Sequence, residues 1–88
     1  MADARAEAWR VQSAAIESGD LLVWTVCENP SDHPGKFTAR PHSSRAGAPL
    51  NFVLVSETLD GVRDLLPPGL TRLPRDASDP AVIVETWI

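Results

Sequence analysis

Leu50 to Leu66 is the stretch that most narrows what this chain can fold into, because its hydrophobic period changes at a single residue. Phe52 to Val55 is a β-branched and aromatic run, too short for a helix and suited to a strand. At Ser56 the period becomes helical, and a serine hydroxyl there suits the free amides of a first helical turn. Beyond it Leu59, Val62 and Leu66 recur on one stripe, while Glu57, Asp60 and Asp64 fall at i, i+3 and i+7 on another. Glu57 and Asp60 lie in the first turn, where the exposed amides favour carboxylates. Pro67 and Pro68 stop the helix. The stretch therefore predicts a strand feeding directly into a helix, Glu57 to Leu66, greasy on one side and acidic on the other.

The remaining segments fit around this unit. Ala2 to Ser18 is an alanine-rich helix closed by Gly19, and its stripe of Ala8, Val11 and Ala15 is so light that the helix is expected to dock loosely. Leu21 to Cys27 is a strand with almost no polar side-chain atom. Asn29 to Gly35 holds two prolines, a glycine and three turn formers, and is a loop. Lys36 to Arg40 alternates as a half-exposed antiparallel strand that Pro41 ends or marks as an edge. Ser43 to Pro49 is a second loop, and Ala81 to Ile88 a last strand set inside the sheet beside the first. The expected fold is α+β: a four-stranded, mainly antiparallel sheet with one helix packed on a face, plus an N-terminal helix. Residues 1-88 form one domain in this reading, 1-19 the weak helix and 20-88 the core. Leu22, Trp24, Val26, Leu54, Val62 and Leu66 are expected in the core, with Phe37, Phe52, Leu59 and Ile83.

With 88 residues the chain buries one modest core, and 43% hydrophobic with 23% charged residues is an ordinary globular balance. No apolar run approaches the ~20 residues a bilayer needs, and Asp3 and Glu7 stand where a signal peptide carries cations, so the expected compartment is the cytoplasm. The net charge of −4 is uneven: residues 1-35 hold −4, residues 36-45 hold +3 and residues 57-88 hold −3. An acidic chain with one small basic segment is a poor general binder of nucleic acid and a good match for a basic partner.

Cys27 is the single cysteine, either a buried small hydrophobe or a residue that meets its copy in a second chain. The strand that carries it is apolar on both sides, more than one covering helix can shield. A homodimer built on Val23, Thr25 and Cys27 is therefore expected.

The residue types for chemistry do not converge. Cys27, His33 and His42 fit no paired-ligand spacing and lack a fourth donor, so neither a metal nor another cofactor is expected. His42 with Ser43 and Ser44 are sequence neighbours with no strained turn or oxyanion site. Leu66-Pro67-Pro68-Gly69-Leu70 has the look of a proline-rich ligand but is accounted for as a helix stop and turn. Glu57, Asp60 and Asp64 rise along a helix at intervals of ~4.5 to ~6 Å, comparable to successive phosphates; the stripe is a solvated helix face or, with nearby Asp76 and Asp79, a partner surface. Trp9, on a weak helix, is a candidate contact anchor. The residues thus favour a non-enzymatic binding protein; a small regulatory interaction module, or a small enzyme, is the alternative.

Val23-Trp24-Thr25-Val26, the segment Glu28 to Arg40, Leu65-Leu66-Pro67-Pro68-Gly69-Leu70 and Val82-Ile83-Val84-Glu85-Thr86-Trp87 together resemble small anti-CRISPR proteins of phages and mobile elements, inhibitors of type I-C CRISPR–Cas. The resemblance spans about residues 21-88 and leaves the N-terminal helix outside. It implies a protein that binds the Cas surveillance complex (Cascade) and keeps target DNA away, and it assigns no residue a role.

Overall fold

The first helix, α1, spans Ala4–Glu17, and the cause of each end is visible. Asp3 Oδ1 accepts from the Arg5 amide at 3.0 Å. Gly19, at φ 75°, closes it through Gly19 N to Ile16 O and Asp20 N to Ala15 O, a pair of bonds that needs a left-handed residue. The computed structural model describes residues 3-88, so Ala2, the first residue of the expected helix, lies outside the described residues. Ala8 and Ala15 are buried in the core cluster, and the backbone of α1 comes nearer to the second helix than to any strand. Gln12 completes the contact: its Oε1 accepts from Trp24 Nε1 at 2.7 Å, satisfying the one polar atom of the largest buried side chain.

Six strands form among the described residues: β1 (Leu22–Glu28), β2 (Phe37–Ser43), β3 (Ala48–Pro49), β4 (Leu54–Ser56), β5 (Arg72–Pro74) and β6 (Ile83–Trp87). All pairings are antiparallel, in the order β3-β2-β1-β6-β5, with β4 also on β2. The meander β1, β2, β4 and the place of β6 beside β1 agree with the sequence reading; the count of four strands does not. β3 and β5 are two and three residues long, too short to show a period. β2 also continues through Pro41 to Ser43. Pro41 O accepts from Leu50 N at 2.9 Å on the side away from β1, in the gap between β3 and β4, so the missing N–H of proline interrupts no bond of the β1–β2 ladder.

The second helix, α2, spans Leu59–Leu65 and is capped by Thr58, whose Oγ1 accepts from Gly61 N at 2.9 Å. Ser56 is not the cap. It pairs with Phe37 at the end of β4, so the helix starts two residues later than the pattern predicts. It ends at Leu65, since Leu66 precedes Pro67 and is held extended at ψ 149°.

Leu22, Trp24 and Val26 alternate onto one face of β1, and both helices cover that face rather than the one helix expected. Leu54, Val62 and Leu66 join them, Phe37, Phe52 and Leu59 pack half-buried at the margin, and the Phe52 ring meets Trp24 edge-on at 6.2 Å. Ile83 departs from the expected core. A bulge at Val26/Cys27 sets Ile83 opposite Cys27, and Val84 packs against the core instead.

Candidate partner-binding surface

α2 is held to the sheet by a buried carboxylate absent from the sequence reading. Glu85 of β6, 2% exposed, accepts from Arg63 Nε at 2.9 Å and Nη2 at 2.5 Å, and from Trp87 Nε1 at 2.7 Å, with Arg72 Nη1 at 3.9 Å. Donation from Arg63 holds the Glu85 carboxyl below its ordinary pKa, against the opposing effect of burial, and Glu85 in turn raises Arg63. The paired guanidinium thus fixes the orientation of α2 against the sheet.

The same helix carries Asp60 and Asp64, one turn apart and about 6 Å along the axis. The Asp60 side chain is 93% exposed, its contact with Arg63 a long 3.7 Å, and Asp64 is exposed. Glu57 does not continue the row. It precedes the helix and its Oε1 accepts from Lys36 Nζ at 2.8 Å, which lowers its pKa. The helical spacing expected from Glu57 to Asp60 is therefore not built, because the Thr58 cap leaves Glu57 in the turn.

Asp76 and Asp79 lie in the loop between β5 and β6 and hold that loop's own backbone. Asp76 Oδ1 accepts from Ser78 N and Oγ, each at 2.9 Å, and Asp79 Oδ2 from Asp76 N at 3.0 Å. The bonds from Ser78 lower the Asp76 pKa. Trp9, on α1, is 48% exposed.

Val23, Thr25 and Cys27 share the sheet face that the helices leave open, all half-buried. Burial, with Asp32 nearby, raises the Cys27 pKa and keeps the thiol protonated. His42 is on β2, and burial followed by Arg40 lowers its pKa. His33 is in the loop before β2, 3.9 Å from Asp32. Among the described residues no group of three or more His, Cys, Asp or Glu is placed to hold a metal, and no helix is long and apolar enough to cross a membrane. No protein-family model, curated protein or solved structure matches the chain.

Proposed function

We propose that this protein is a non-enzymatic inhibitor that docks on a basic, DNA-binding surface of a type I-C CRISPR–Cas surveillance complex in the cytoplasm of a bacterial cell. The observation behind this reading is the pair of exposed carboxylates, Asp60 and Asp64, on a helix anchored through Arg63 and Glu85. Fixed carboxylates engage the lysines and arginines that otherwise hold phosphates, and an anchored helix presents them without the entropy cost of ordering a flexible chain. Glu57 adds charge at the helix start while exchanging Lys36 for a partner cation, and the exposed Trp9 is available as a further anchor. The resemblance of residues 21-88 supplies the identity of the complex.

The test is copurification with tagged type I-C subunits followed by titration with target duplex. The expected result is a stable complex from which DNA and the protein exclude one another. Recovery of none of the subunits, or simultaneous binding of protein and DNA, would overturn the reading.

A further inference from the structure

α1 and α2 cover the same sheet face but are tied to the molecule in different ways. α2 follows β4 across only Glu57 and Thr58, buries Val62 completely and is bound through Arg63 to the buried Glu85. Among the described residues no ion pair ties α1 to another element. It is held by the buried Ala8 and Ala15, by the half-buried Val11 and by the bond from Trp24 Nε1 to Gln12 Oε1. Its largest apolar side chains, Trp9 and Ile16, are 48% and 61% exposed and lie largely outside the contact. The chain is fastened again just past the helix. Arg45 Nη2 donates to Ser18 O at 2.6 Å, and the Asp20 carboxylate accepts from Ser43 Oγ at 2.5 Å, Arg45 N at 3.1 Å and Ser44 Oγ at 3.3 Å.

We propose that α1 is a lid that undocks and melts as one unit, pivoting on the pinned segment from Ser18 to Asp20, while α2 and the strands stay native. This goes beyond the proposed function and does not depend on it. Separating two alanines, part of a valine and one side-chain bond exposes little apolar area, and it leaves intact the ladders of β1 with β2 and β6 and the Arg63–Glu85 pair. Gln12 and Trp24 exchange their shared bond for bonds to water, so opening orphans no polar group. Once undocked, a helix of 14 residues is only marginally stable in water, so departure and melting are a single event. Opening stops at Ser18, because Arg45 and Asp20 tie the chain there to the loop between β2 and β3 without help from α1. The result is a two-state segment. Closed, it covers Trp24 and displays Trp9 on a helix; open, it uncovers Trp24 and frees Trp9 from the helical frame.

Native-state hydrogen exchange of the full chain, followed by NMR from zero to sub-denaturing urea, decides the matter. The amides from Ala8 to Glu17 are expected to exchange with one common opening constant, at least ~100-fold larger than that of the ladder amides of β1 and with a weaker urea dependence, because less surface is exposed. The Val62 amide, which donates to Thr58 O at 3.1 Å within α2, is expected to keep the slow, urea-sensitive exchange of β1. Exchange of α1 at the rate and urea dependence of β1 would make it part of the global unit. A gradient from fast exchange at Ala8 to β1-like protection at Glu17 would be end fraying, and joint exchange of Val62 with α1 would make the two helices one unit. Any of these three results overturns the proposal.

Discussion

Glu85 is the residue whose role was least visible in the sequence, because its environment is made by partners distant along the chain. It sits in an apolar strand, 22 residues from Arg63, and no local pattern joins the two. Arg63→Met is expected to destabilise the fold by about 3 kcal/mol in urea melts, near the lower end for a broken buried pair, since Arg72 still stands 3.9 Å away. A loss under ~1 kcal/mol, the range of an exposed pair, would contradict the anchoring role. The pH dependence has a definite sign. The folded carboxyl is held below its ordinary value of 4.5, so its contribution is present above pH 4.5 and is lost as pH falls below it toward the folded pKa. The stability advantage of wild type over Glu85→Gln should accordingly be full at neutral pH and shrink in acid; an advantage that grows below pH 4.5 would refute the assignment. Ser56 and Thr58 teach a related lesson: both can cap, and a β-bridge to Phe37 that the sequence does not reveal gives the role to Thr58.

Among the elements, α2 is the shorter helix and the more constrained. Gly61 approaches β4 so closely that an added Cβ would overlap Ser56 Oγ and lie 2.9 Å from Thr58 Oγ1. Glycine to alanine inside a helix ordinarily gains up to ~1 kcal/mol. Here Gly61→Ala is expected to lose about 1 to 3 kcal/mol by overpacking, with partial recovery in the Ser56→Ala background, and a stabilised Gly61→Ala would show that the helix has room to shift. The apolar stripe of α2 was legible, but its weights were not. Val62 is fully buried whereas Leu59 stands half-exposed at the first turn, so Val62→Ala should cost about 2 kcal/mol and Leu59→Ala less than a full leucine deletion. Equal or reversed losses in denaturant melts would contradict that placement. In α1, alanine contributes little area, yet Ala8 and Ala15 are buried and Gln12 accepts from Trp24, a tertiary contact that the light stripe does not reveal. Strands of two and three residues such as β3 and β5 carry no period at all, whereas the seven-residue β1 was plain from its run of apolar side chains.

For the whole molecule, the α+β class, the antiparallel meander and the β1–β6 pairing followed from hydrophobic period and turn chemistry. The acidic surface followed only in part. Asp60 and Asp64 are exposed side by side, Glu57 is drawn to Lys36 across 21 residues, and Asp76 and Asp79 fasten a loop, pairings that depend on tertiary approach or on turn geometry. The two faces of the molecule differ accordingly, one presenting carboxylates on an anchored helix and the other an uncharged sheet centre. We propose that the carboxylates of α2 make the contact with a basic Cas surface. This proposal is tested most directly by measuring the affinity of wild type and of Asp60→Lys/Asp64→Lys for the purified type I-C complex at low and at physiological salt. Both positions are exposed, so the variant should stay folded; its binding should weaken by well over the ~1 kcal/mol of one exposed pair, and the wild type should lose affinity as salt rises. A folded double variant that binds as tightly as wild type, with no salt dependence in either, would contradict the claim.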